Sequence, residues 1–416
     1  MAIWIIEPRD PLIVRDGRPF GPDPGARASS LPFPFPSTTA GGVRTRAALD
    51  DNGFFKFTDD QNQPEVQKQL NRLKQLRVRG PLLVQLTVDD RDIASDQWLV
   101  PAPRDALLFP TGSAATGKSS ALLQQLVPLH LPEHAQTDFD QQGLMLVGQS
   151  SYDERKPLNE APHYWYWKTF QTWLRNPSSL NGTVQRLAEL GQIGPLREQR
   201  LHVSIDADKE VAKDGMLFET SGLEFTTPGK GRQRLKGAQR LALAIDVDDS
   251  EQFIPSAGLA GLGGERRIVS WHKSSADLPS CPSELEQTII TNKACRVFLL
   301  TPACFEEGYR PTWLLTEAAK HGVTARLKAI AIQRPQVASG WDLALRKPKP
   351  SRRLAPAGTA LFLSLEGSKA AIGDWIRGIW MQCISDNEQD RTDGFGLAVF
   401  GTWSGQPVAM QKGQQS

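Results

Sequence analysis

Gly112, Gly117, Lys118 and Ser119 stand at the spacing G-x-x-x-x-G-K-S. At that spacing backbone N–H groups cradle phosphates, the lysine reaches the β- and γ-oxygens, and the serine hydroxyl ligates Mg²⁺. The surroundings point elsewhere. Pro110 precedes Gly112 by two residues, and Pro128 cuts short the segment that follows Ser119, in a stretch rich in Gly and Ser. A flexible loop without nucleotide chemistry is expected. His130, Glu133 and His134 match H-x-x-E-H, a zinc pattern that needs both imidazoles on one helical face. Pro132 lies inside the run and breaks such a helix, so no metal is expected. His163, His202, His272 and His321 are scattered singly and set up no nucleophilic constellation by spacing.

A third run, residues 393–403, sets Gly394 and Gly396 around Phe395 just before a strand. Such a loop lets a sugar-phosphate backbone approach its N–H groups while an exposed Phe395 stacks on a base. It matches an RNA-recognition core only in part, with Asp393 in place of the basic residue and Leu397 in place of the second aromatic. A structural turn into an edge strand fits the same residues equally well. Charge is densest over residues 326–353. Arg326, Lys328, Arg334, Arg346, Lys347, Lys349, Arg352 and Arg353 face the single acid Asp342. Residues 230–240 add Lys230, Arg232, Arg234, Lys236 and Arg240 with no acid. One such block alone usually reads as a solvated face. Several blocks among Gly and Pro, which fix the backbone, point to phosphate contact. The whole chain hides this, because 48 Lys and Arg against 46 Asp and Glu leave only +2. That total excludes a histone-like chain but not a basic face.

These residues need a scaffold. A chain of 416 residues exceeds what one core organises, and 39% hydrophobic residues exclude a disordered or fibrous chain. Residues 2–7 read as an opening strand, and 8–36 as an ordered Pro-, Gly- and Arg-rich loop. Ser37-Thr38-Thr39 should cap a helix to residue 50 that buries Val43, Ala47 and Leu49. Residues 61–79 read as a polar helix, 82–88 as a strand, and 110–160 as a long excursion. Residues 163–176 read as an aromatic helix whose Trp165, Trp167, Phe170 and Trp173 serve the core, since Lys168 and Arg175 are its only basic residues. A hairpin over 201–225 and a strand at 241–247 follow. The last third restarts with strands at 296–301, 325–333 and 359–365. An amphipathic helix over 369–384 faces Ile372, Ile376 and Ile379 inward, and a strand at 396–403 closes the pattern.

The fold class expected is α+β, with helices on one face of an antiparallel sheet, seen twice as ferredoxin-like (RRM-like) units. The expected division is residues 1–285, with the insertion near 110–160 and the hairpin 201–225, and residues 286–416. Cys281, Cys295, Cys304 and Cys383 show no C-x-x-C spacing, so reduced, mostly buried thiols are expected. The N-terminal run lacks a basic n-region, and no 18 apolar residues run together, so a soluble cytoplasmic protein is expected.

Residues 6–20 (IEPRDPLIVRDGRPF) followed by 31–38 (LPFPFPST) resemble the N-terminal signature of the Cmr subunit three family. These are repeat-associated mysterious proteins (RAMPs) of the type III-B CRISPR effector. Further matches keep the family's order: residues 101–105 (PAPRD), the hairpin near 202–225, 262–266 (LGGER), 333–335 (QRP) with 339–342 (SGWD), 348–350 (PKP), 356–359 (PAGT), 394–396 (GFG) and 401–403 (GTW). The segment 110–160 matches least. The resemblance implies two RAMP units with glycine-rich loops and long insertions. It implies a non-catalytic subunit of an antiviral ribonucleoprotein, without cofactor or metal. That subunit holds the 5′ repeat-derived handle of the crRNA and meets the large polymerase-like subunit and a neighbouring backbone RAMP subunit. Carried onto this chain, Arg15, Asp16, Gly17, Arg18, Ser37 and Thr38 would form an N-terminal RNA-facing loop. Gly340, Trp341, Lys347, Lys349, Arg352, Gly394, Phe395 and Gly396 would form a C-terminal one. The rival is a guide-RNA-processing endoribonuclease of the same superfamily. Acid–base cleavage usually wants a His or its equivalent beside the phosphate, and residues 37–50 hold no His, Tyr or Lys.

Overall fold

The opening strand Ala2–Pro8 is buried at every position, its apolar run of residues 2–6 as a central strand should be and Glu7 paired with Arg240. In the computed structural model the described residues are 1–410. Residues 16–26, 29, 51–52, 58–62, 87–92, 95, 112–118, 134, 136, 138–142, 152, 207, 229–237, 249–252 and 343–346 lie outside the description, as do the side chains of 27–28, 341–342 and 347–348. The chain forms two compact units that interleave along the sequence. One holds residues 1–93, 194–277 and 337–353, the other 94–193, 278–336 and 354–416.

In the first unit Ala2–Pro8 pairs antiparallel with Gln239–Val247 on one side and Arg267–Lys273 on the other. Val78–Leu86 pairs antiparallel with the outer edge of Gln239–Val247. Taken in chain order, these four strands lie in the spatial order 2-3-1-4. Helix Pro36–Ala47 fills the first crossover. The second carries the strand Gly258–Leu262, paired with Arg267–Lys273, and no α-helix among its described residues. The helix packs closely because Gly42 has no side chain; a Cβ there would come within 2.7 Å of Leu262 Cδ1. The expected Ser/Thr cap is not used. Pro36 opens the helix, its fixed φ suiting the first turn, and no side chain caps Phe35. A ribbon of Leu196–Asp206 against Val211–Glu224 realises the expected hairpin and leaves Leu201, Val203, Ile205 and Leu217 exposed.

The second unit builds its sheet in the order Thr324–Ala331, Ala360–Glu366, Ala294–Leu299, Leu397–Thr402, Gln382–Cys383, all antiparallel. Its first four strands again lie 2-3-1-4, with helices Thr312–Lys320 and Lys369–Ile379 in the two crossovers. Ile372, Ile376 and Ile379 are buried as expected. This helix ends at Ile379, not 384, because the chain reverses through Met381 at φ 55° and returns as the Gln382–Cys383 strand.

The expected cut between residues 285 and 286 does not follow these units. Residues 94–193 belong with the C-terminal sheet because an ion pair and aromatic packing tie them to it. Arg296, within the apolar strand Ala294–Leu299, donates to Asp105 and to the carbonyls of Trp173 and Thr402. Asp105 accepts a further bond from Trp173 Nε1 at 2.9 Å. Phe170 packs edge-on to Phe298, and Trp167 to Trp380. The aromatic segment therefore serves the core, as strand Tyr164–Tyr166 and helix Trp167–Arg175. The excursion 110–160 holds the strands Ser120–Gln125, Val127–His130 and Val147–Gly148, which composition did not disclose. Cys295 and Cys383 are buried free thiols, and Cys281 and Cys304 are partly buried. Among the described residues no helix is long and apolar enough to cross a membrane.

Candidate nucleic-acid interface

Within the basic block 326–353 the strands Gln336–Asp342 and Lys347–Leu354 pair with each other, while Arg326 and Lys328 lie on the strand Thr324–Ala331 of the second unit. Two strands carrying Lys349, Arg352 and Arg353 cannot bury these charges, and Lys349 and Arg353 are exposed, with Arg352 half-buried. A Cβ at Gly340 would meet Lys349 Cδ at 3.7 Å, an ordinary contact, so this glycine is not forced by packing. Trp341 and Lys347 lie on these strands with side chains outside the description. Residues 337–353 belong to the first unit, although they stand in the last third of the sequence.

That unit also holds Arg15, Ser37 and Thr38. Ser37 and Thr38 sit half-buried in the first turn of helix Pro36–Ala47. Arg15 is exposed, bridges Ser30 through the backbone, and donates to Glu265 at 3.5 Å. Asp16, Gly17 and Arg18 lie outside the described residues. The structure thus gathers Arg15, Ser37, Thr38, Gly340, Lys349 and Arg352 into one compact unit, which residue order alone did not suggest. Sequence reasoning quoted Glu265 and Arg266 only within the run 262–266 and gave no role to them or to Arg267, although Glu265 accepts from both Arg15 and Arg267; the paired Gly263 and Gly264 before them were the available signal.

Gly394, Phe395 and Gly396 belong to the other unit, and their geometry corrects the expected stacking loop. Phe395 has no solvent exposure. Every backbone polar group of the three residues is used internally. The N–H groups of Gly394, Phe395 and Gly396 donate to Arg391, Asp390 and Pro302. Their carbonyls accept from Thr301 Oγ1, Ser385 Oγ and Ile384 N. Gly394 at φ 99° ends helix Glu388–Asp393, and Gly396 at φ 84° sits where a Cβ would strike Ser385 N at 2.9 Å. The glycines serve a tight turn, with no N–H left for a phosphate and no ring face for a base.

Neither look-alike motif meets, in the described residues at its edge, the helix its chemistry needs. Ser119 leads directly into the strand Ser120–Gln125, which pairs antiparallel with Ala106–Pro110, so no helix N-terminus follows the G-x-x-x-x-G-K-S run. Gly112–Lys118 themselves lie outside the description. His130 ends the strand Val127–His130 and so stands on no helix, and His134 lies outside the described residues.

Against known families, residues 4–403 match the CRISPR-associated protein family Cas_Cmr3. The chain belongs to the Cas_Cmr3 family. It is accordingly a CRISPR-associated protein of the Cmr3 type. Among solved structures, this Cmr3-family chain is similar to a chain of the type III-B Cmr-β complex bound to cognate target RNA, at 15% identity over 99% of both chains with a TM-score of 0.43. A second state of that complex, with target RNA and AMPPnP, gives 16% identity over 86% of both chains and a TM-score of 0.41. A chain of the Csm3–Csm4 subcomplex of the type III-A interference complex gives 11% identity over 88% of this chain and 94% of that one, with a TM-score of 0.30. No protein of curated function matches the chain in sequence.

Proposed function

We propose that this Cmr3-family chain is a non-catalytic RNA-holding subunit. It grips the 5′ repeat-derived handle of the crRNA and docks the large polymerase-like subunit and a neighbouring backbone RAMP subunit in the cytoplasm. The observation that carries this reading is the ribbon of Gln336–Asp342 and Lys347–Leu354, with Lys349 and Arg353 exposed on it, largely in the same compact unit as Arg15. Arginine forks and lysines there suit phosphate oxygens, which position an RNA strand without reading its sequence. The 2-3-1-4 strand order of each unit fits a ferredoxin-like, RRM-like arrangement, a scaffold suited to single-stranded RNA. Helix Pro36–Ala47, which follows the first RNA-facing loop, carries no His, Tyr or Lys to move a proton.

The experiment is co-expression with the other subunits of a type III-B effector, purification through a tag on this chain, and sequencing of the retained RNA. Enrichment of RNAs that begin with repeat-derived sequence supports the reading. Assembly without RNA, or with RNA of random ends, contradicts it. Incubation of the purified chain with repeat RNA should leave that RNA intact, and site-specific cleavage would instead establish the endoribonuclease.

A further inference from the structure

The Gly263–Arg266 turn is locked against the segment that leads to Arg15. Gly264 N donates to Ile13 O at 2.7 Å, and a Cβ on Gly263, at φ 74°, would stand 2.4 Å from the same oxygen. Only glycine permits that approach. The turn sets arginines around one carboxylate. Glu265 accepts from Arg15 Nη2 at 3.5 Å through Oε1 and from Arg267 Nη2 at 2.8 Å through Oε2. Arg267 Nε is buried with no partner. Arg266 is exposed, and its side chain makes no hydrogen bond or ion pair among the described residues.

A carboxylate and a phosphodiester offer a guanidinium fork the same pair of acceptor oxygens. The Arg15 and Glu265 side chains are 41% and 39% exposed, so their contact is a solvated ion pair that a competing anion can displace. We propose that Arg15, Arg266 and Arg267 form a phosphodiester site for single-stranded RNA, which Glu265 occupies until RNA displaces it. This rests on the RNA-holding reading above and adds to it a built-in competitor. An isolated weak contact loses to Glu265, whereas a strand also held elsewhere on the unit wins. RNA fits better than an acidic protein surface because Arg266, without an ion-pair partner among the described residues, follows Glu265 in the chain and the basic ribbon of residues 336–354 lies largely in the same unit.

The test is fluorescence anisotropy of a labelled single-stranded RNA bearing the repeat-derived handle, titrated with the full chain across salt. Polyglutamate of matched charge serves as competitor. Glu265→Gln should tighten RNA binding about two- to fivefold, the range an exposed ion pair spans. Arg266→Ala should weaken binding and reduce the salt slope by about 0.7, the value of one phosphate contact on a single strand. Both side chains are solvent-facing, and thermal melting equal to wild type checks that the fold is kept. If wild type binds RNA in a salt-dependent manner and Glu265→Gln binds no tighter, the occupied-site inference is overturned. If wild type shows no salt-dependent RNA binding, the RNA-holding reading itself fails. Polyglutamate competing as well as RNA overturns the choice of ligand.

Discussion

Arg296 Nη1 donates to Asp105 Oδ2 at 2.6 Å, and neither side chain has any solvent exposure. The pair joins the Pro101–Asp105 turn to the strand Ala294–Leu299, two segments 191 residues apart. Removing one partner strands the other charge in the interior, which typically costs ~3–5 kcal/mol. Arg296→Met and Asp105→Ala should each destabilise by that order in chemical denaturation. The double variant should lose clearly less than the two single losses combined. Additive losses would show that the two residues do not act as a pair.

Gly358 and Gly340 should respond oppositely to alanine. Gly358, at φ 88°, would place a Cβ 2.4 Å from Ala102 O and 3.2 Å from Arg104 Nε, and its carbonyl accepts from Arg104 N. Gly358→Ala should cost about 1–3 kcal/mol through backbone strain and the clash. Gly340→Ala should stay within about 0.5 kcal/mol. Equal melting temperatures for the two variants would contradict this packing.

Phe395→Ala should act as a core deletion. A fully buried Phe typically costs ~3–5 kcal/mol on truncation to Ala. At a temperature where the variant stays folded, its RNA affinity should equal that of wild type. Unchanged stability with a large loss of RNA affinity would restore the stacking role.

Lys118→Ala should leave nucleotide and RNA binding as they are in wild type. The run ending at Ser119 enters an antiparallel strand, where the phosphate loop of a nucleotide-binding protein needs a helix N-terminus. Calorimetric titration with ATP and Mg²⁺ checks this. Saturable heat that vanishes with Lys118→Ala would revive the nucleotide site.

Much of the fold was legible because its signals are local. The alternation at residues 325–331 and the spacing of Ile372, Ile376 and Ile379 carry the periods of a strand and a helix, and both elements formed there. The interleaving of the two units was not legible, because it depends on pairings such as Asp105 with Arg296 that no local period encodes. One hint did exist: an arginine within the apolar run of residues 294–300 must find a partner. The Gly394–Gly396 turn misled for a related reason. Glycines needed for positive φ and glycines that admit a ligand look alike in sequence, and only the full set of hydrogen bonds separates them. The basic block was legible as charge, but its division between the two units, with residues 337–353 in the unit that holds Arg15, came only from the fold.

The most direct test of the RNA-holding role is the salt dependence of handle binding by the Lys347→Ala/Lys349→Ala/Arg352→Ala variant. With three cations withdrawn from the RNA phosphates, its salt slope should fall by about 2 units and its affinity by well over tenfold, with unchanged melting. Wild-type affinity and slope in this variant would contradict the assignment of the RNA-binding face to the basic ribbon.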